Sequence, residues 1–148
     1  IGIAGTVYYK DSEKKYTAEV YNPTGERKDG SLEGYVAMDG REIYKFAVRQ
    51  VPAVIDEILE KAEKSVEEID LFVLHQANRR IVEAIAKRLK QPIEKFPMDM
   101  MQNGNMSSAS IPVLLDELKQ EGKLQPGMKI IVAGFGAGLT WGGMYLEW

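Results

Sequence analysis

Two polar residues and one glycine run have the types and placement to do chemistry. His75 is the only histidine in the chain and ends the apolar run Leu71-Phe72-Val73-Leu74. A neutral imidazole carries one donor and one acceptor, so it can polarise a carbonyl or take a proton. After four apolar residues it must be hydrogen-bonded or reach a cleft, because burying it unpaired costs about 1–3 kcal/mol. Asn105, in Asn103-Gly104-Asn105, admits two readings. It is a turn residue ahead of a helix, or its amide NH₂ faces a developing negative charge at the helix amino end, where the dipole assists. The third element is Gly134-Phe135-Gly136-Ala137-Gly138. No helical pattern follows it, which argues against a phosphate-holding loop. A hairpin turn fits, and so does close backbone approach that presents N–H groups to a substrate oxygen.

These residues must be positioned by the elements around them. Ile1 to Lys10 and Lys15 to Tyr21 read as strands, rich in Ile, Val, Thr and Tyr. Asn22 to Gly34 reads as a loop, and Tyr35 to Met38 as a brief extended piece. From Arg41 to Lys64 the apolar residues recur at three- and four-residue steps, predicting a long amphipathic helix with a kink at Pro52. Ser65 and Glu68 have capping-box spacing, which predicts a single turn. Asp70 to Leu74 is apolar on consecutive residues, the pattern of a strand covered on both faces.

A second helix is expected from about Asn78 to Lys90, with Ile81, Val82, Ile85 and Leu89 inward, stopped by Gln91-Pro92. Glu94 to Met101 reads as a short strand carrying Phe96 and Met98. A third helix then runs to about Glu121, buries Ile111, Val113, Leu114 and Leu118, and ends at Gly122. Met128 to Phe135 and Thr140 to Trp148 read as closing strands. The alternation argues for an α/β layer, with helices packed on the faces of a mixed, mostly parallel sheet. In such a layer strand ends gather on one edge. His75, Asn105 and the glycine run, each expected after a strand, would then converge.

Composition sets the limits. A chain of 148 residues, 45% hydrophobic and 28% charged, fits one soluble globular domain. No apolar run approaches the roughly 20 residues that span a bilayer. There is no basic segment followed by an apolar stretch, so no secretory signal is expected. Net charge −3 gives no nucleic-acid footprint. With no cysteine, disulfides, thiolate metal sites and a cysteine nucleophile are excluded within this chain. The first residues, Ile1-Gly2-Ile3-Ala4-Gly5, lack an initiator Met and read as strand, as in a segment of a longer polypeptide.

Three motifs together carry a resemblance: His75-Gln76-Ala77-Asn78, Gly104 to Pro112, and Phe135-Gly136-Ala137-Gly138-Leu139-Thr140-Trp141-Gly142. In this order and spacing they resemble 3-oxoacyl-[acyl-carrier-protein] synthase III, the initiating enzyme of type II fatty acid synthesis, over nearly the whole chain. The match is to its C-terminal half. The resemblance implies a thiolase-like half over residues 1–148, and a Cys-His-Asn triad in which His75 and Asn105 are present. The Cys would come from the N-terminal half. It implies a cytoplasmic acyltransferase, homodimeric in its full form, that condenses a short acyl-CoA with malonyl-acyl carrier protein. Coenzyme A thioester is then the substrate; no covalently bound cofactor, metal, nucleic acid or membrane is expected.

By the same resemblance, the backbone of Gly136, Ala137 and Gly138 helps form an oxyanion hole. Ala137 stands where glycine is expected, and Met106 and Ser108 replace the usual Thr and Ala. Asn78 and Gly40 line the coenzyme A and pantetheine channel, and Lys45, Arg80, Lys87 and Arg88 receive the acidic carrier protein. Arg80, Lys87 and Arg88 do fall on one helical face, which a merely solvated surface would also explain. The alternatives are an initiation synthase of a polyketide-type pathway and a non-catalytic domain that binds acyl carrier protein. An isolated half exposes an apolar interface, so the chain alone is expected to associate.

Overall fold

The computed structural model describes residues 39–136 and 139–148, together with the backbone of Val7–Asp11. The strand expected at Lys15 to Tyr21, the loop at Asn22 to Gly34 and the piece at Tyr35 to Met38 lie outside the described residues. So do Ala137 and Gly138.

The described elements run β1 (Val7–Asp11), α1 (Gly40–Ala62), β2 (Leu71–Leu74), α2 (Arg79–Arg88), α3 (Ser110–Gln120), β3 (Lys129–Gly136) and β4 (Thr140–Glu147). The four strands form one sheet in the order β1-β4-β3-β2. It is mixed, as expected. The predicted parallel majority is absent among the described strands, since only β2 and β3 pair parallel while β3–β4 and β1–β4 are antiparallel. The reason is the chain reversal between Gly136 and Thr140, which pair with each other and make β3 and β4 a hairpin.

Both faces of the sheet are covered. Phe72, Leu74, Ile131, Ala133, Trp141 and Tyr145 share a core with α1 and α2. Val73, Ile130, Val132 and Leu146 share another with Leu114 and Leu118 of α3. Alternate residues of β2 and β3 thus point to opposite helical layers, which is why both strands are continuously apolar. Each fully buried side chain of this kind contributes about 1.5–3 kcal/mol. Gly143 lets α1 come close to the sheet. A Cβ there would stand 2.8 Å from the Val132 carbonyl oxygen and 2.9 Å from Cδ1 of Ile58.

α1 begins where Asp39 accepts the backbone N–H groups of Arg41 and Glu42 at 2.9 and 3.1 Å, an N-cap not anticipated in the sequence. Pro52 lies buried inside this helix. Val66–Glu68 is a single 3₁₀ turn, where Glu68 accepts the Ser65 N–H at 2.8 Å. α2 matches its expected span, and Ile81, Val82, Ile85 and Leu89 are all buried. α3 ends ahead of Gly122, whose φ is +69°. Ile111 and Val113 are only half-buried.

The strand expected at Glu94 to Met101 does not form. Ile93–Lys95 is a 3₁₀ turn, and Pro97 has no N–H to give a ladder. The apolar signal there comes from anchoring instead: Phe96 stacks on Phe72 with ring centroids 4.7 Å apart.

Candidate functional site

His75 is the first residue after β2. Its backbone N–H donates to the Ala133 carbonyl at 2.9 Å, extending the parallel ladder by one step. The ring is half-buried, and burial pushes its pKa below the ordinary histidine value, so the imidazole is neutral near pH 7. Phe135 of β3 meets it edge to face, with centroids 5.4 Å apart and planes at 79°. This contact fixes the ring without adding charge.

The glycine run of β3 meets α3 at the same place. A Cβ built on Gly134 would stand 3.5 Å from Cδ1 of Ile111, in the first turn of α3, and 3.8 Å from Cβ of His75. The end of β2, the start of the glycine run and the first turn of α3 therefore converge. The loop before α3 reaches them without a strand, because it follows the 97–101 segment and not a ladder.

Asn105 leads into α3 through the 3₁₀ turn Ser107–Ala109. Its side-chain Oδ1 accepts the Ser107 N–H at 2.9 Å. The oxygen therefore makes the turn of the first reading, and the residue is exposed. The loop is tightly specified. Gly104 has φ +68° and Ser107 has φ +54°, and the latter costs a non-glycine residue on the order of 1–2 kcal/mol. Ser110 is fully buried and its Oγ accepts the Met106 N–H at 3.1 Å.

The remaining predicted residues lie on or at the ends of α1, α2 and β3. Asn78 caps α2 by accepting the Arg80 N–H at 2.8 Å, and is exposed. Gly40 is the exposed first residue of α1, and a Cβ on it would meet nothing within 4 Å. Gly136 is exposed at the end of β3. Arg80, Lys87 and Arg88 all lie exposed on α2. Arg88 reaches across to the Val48 carbonyl at 3.4 Å, one turn beyond Lys45 on α1, which pairs with Glu42 at 2.7 Å. Arg88 thus links the end of α2 to the turn of α1 that follows Lys45.

Sequence reasoning missed the support behind these groups. Gln76 is fully buried. Its Nε2 donates to the Leu74 carbonyl at 2.8 Å and the Pro97 carbonyl at 3.4 Å, and its Oε1 accepts the Asp99 N–H at 3.2 Å. The carboxamide stands in for the missing ladder along the edge of β2. The one signal was a glutamine directly after the histidine, where the chain returns to the core. No cluster of residues suited to a metal occurs among the described residues. No helix among them is long and apolar enough to cross a membrane.

A mixed sheet with helices on both faces and a histidine at the carboxyl end of a parallel strand fits the thiolase-like half that the resemblance implies. Residues 59–148 match the family model described as 3-oxoacyl-[acyl-carrier-protein (ACP)] synthase III C terminal, and the chain belongs to that family. It is 53% identical over 113 residues to beta-ketoacyl-[acyl-carrier-protein] synthase III of Pyropia yezoensis, covering 76% of this chain and 35% of the relative. Against that of Thermosynechococcus vestitus the identity is 54% over 113 residues, 76% of this chain and 34% of the relative. The crystal structure of beta-ketoacyl-[acyl carrier protein] synthase III from Thermus thermophilus superposes with a TM-score of 0.81 at 38% identity, covering 99% of this chain and 46% of that one. The chain spans about a third of the length of the curated relatives it matches.

Proposed function

We propose that this chain supplies the histidine and asparagine of a decarboxylative condensation between a short acyl-CoA and malonyl-acyl carrier protein. The N-terminal half contributes the cysteine, since this chain has none. In this reaction the cysteine thiolate takes the acyl group and coenzyme A leaves. The malonyl C–C bond then breaks, CO₂ departs, and its electron pair forms a thioester enolate. The enolate carbon attacks the acyl-cysteine and the thiolate is released.

The observation that carries this reading is a half-buried, neutral His75 against Gly134, with Ile111 of the helix that Asn105 leads into packed on the same glycine. Half-buried His75 has its pKa pushed down by burial, and Asn105 has its amide oxygen engaged with Ser107. Each offers an N–H to the enolate oxygen. Neutrality matters, because a donor that stays put without transferring its proton stabilises the enolate with little reorganisation. The backbone at Gly136, Ala137 and Gly138 would hold the acyl-cysteine oxygen. Asn78 and Gly40 would contact the pantetheine arm, and Lys45, Arg80, Lys87 and Arg88 would steer the acidic carrier protein. Such charges act mainly on association rate and orientation. Action in the cytoplasm as a homodimer belongs to the same reading.

The test is to combine the chain with its N-terminal half and assay condensation of acetyl-CoA with malonyl-acyl carrier protein. Activity that falls about 10²–10³-fold in His75→Ala and in Asn105→Ala supports the assignment. A folded complex without activity, or variants as active as the parent, overturns it.

A further inference from the structure

Three polar side chains are buried among the described residues: Gln76, Asp99 and Ser110. All three lie beside the two candidate donors. Gln76 follows His75 in the chain. Asp99 begins the loop that carries Asn105, and Ser110 closes it. Elsewhere the described core is apolar.

The bonds form a continuous brace. Gln76 ties the Leu74 carbonyl, one residue before His75, to the Asp99 N–H. Asp99 Oδ2 accepts the Asn103 amide at 3.1 Å, and the same Asn103 nitrogen donates to Glu117 of α3 at 2.6 Å. The Asp99 carbonyl also accepts the N–H groups of Gln102 and Asn103, at 2.9 and 3.0 Å. The brace thus starts one residue from His75 and ends two residues from Asn105. Its composition is not the one stability favours. Asp99 Oδ1 is buried without a hydrogen-bond partner among the described residues, and well-packed apolar side chains would hold the same seam at no desolvation cost. What a directional amide network adds is a fixed distance and angle.

We propose that Gln76 and Asn103, bridged through Asp99, are positioning residues that hold His75 and Asn105 at the spacing one enolate oxygen requires. This rests on the catalytic reading above. Two donors must meet a single atom, and they sit on separate elements with no shared strand between them. The Gln76 carboxamide is the only described side chain that bonds both the β2 end and the 97–99 segment. Displacement of one donor by about 1 Å costs on the order of 10²-fold in rate.

The experiment uses the chain combined with its N-terminal half and reads CO₂ release from malonyl-acyl carrier protein, with a thermal melt of each variant. Gln76→Leu removes the tie at the β2 end, and Asn103→Ala, only half-buried, removes the tie at the loop with less risk to folding. Both are expected to lower kcat, Gln76→Leu by about 10²-fold, with KM little changed. Folded Gln76→Leu and Asn103→Ala proteins that melt earlier but turn over at the parent kcat would overturn the proposal. If Gln76→Leu does not fold, the kcat of Asn103→Ala decides alone. His75→Ala in the same assay separates the two ideas, because an unaffected rate there overturns the catalytic reading itself.

Discussion

The two ends of the β2–β3 pair are held in opposite ways. At the amino end the grip is ionic and wet. Asp70 Oδ2 accepts the Lys129 N–H at 2.7 Å, Lys129 Nζ reaches Glu68 at 3.2 Å, and Glu68 accepts the Ser65 N–H. These side chains are in contact with solvent, and the Ser65 bond, then Lys129, holds the Glu68 carboxyl below its usual range. At the carboxyl end the grip is largely buried, made by Gln76 and Asp99 with the half-buried Asn103, next to a neutral histidine. Exposed charges tolerate change because water replaces whatever is lost. Buried amides do not, since each broken bond leaves a group that water cannot reach. Precision therefore belongs at the end where chemistry is proposed.

Substitutions at the two ends should separate accordingly. Gln76→Leu leaves the Leu74 carbonyl and Asp99 N–H without their partner, and should lower unfolding free energy by about 1–3 kcal/mol in urea melts. A neutral result would mean that the carboxyl end is held by packing alone. A smaller effect is expected from pH. Above about pH 6.5 the histidine is neutral in both folded and unfolded chains, so its contribution is level. As pH falls through that value the unfolded chain takes up the proton first, and stability declines until the lowered folded pKa is reached. Urea melts between about pH 7.5 and 5.5 should show this slope in the parent, and His75→Gln should flatten it. The low pKa of Glu68 acts in the same sense but further toward acid, within the carboxylate range. The smallest effect is at the amino end, where Lys129→Ala should leave the melting midpoint close to that of the parent. A large shift there would erase the contrast.

Much of this was legible in the residues. Continuous apolarity of Leu71 to Leu74 located a strand covered on both faces, because each face needs its own alternate set of apolar side chains. The periodicity of α2 fixed its inward residues for the same reason. What sequence did not disclose depends on contacts between distant segments. Phe96 and Met98 spaced like a strand, yet Pro97 has no N–H, and a glutamine twenty residues earlier supplies the hydrogen bonds a neighbouring strand would have made. The glycine run did read as a hairpin turn; the preponderance of antiparallel pairing follows from that hairpin together with the β1–β4 pairing, which no local pattern discloses. At the site, His75 and Asn105 were visible as types in a pattern. Their supports, Gln76 and Asp99, looked like ordinary polar residues until burial distinguished them.

Asn105→Asp tests the central claim most directly. The aspartate keeps an oxygen for the Ser107 N–H, so the turn and the melting temperature should be preserved. It removes the NH₂ donor and places a carboxylate before the forming enolate. In the chain combined with its N-terminal half, CO₂ release from malonyl-acyl carrier protein is predicted to fall by about 10²–10³-fold or more. A folded Asn105→Asp protein that releases CO₂ at the parent rate would contradict the account.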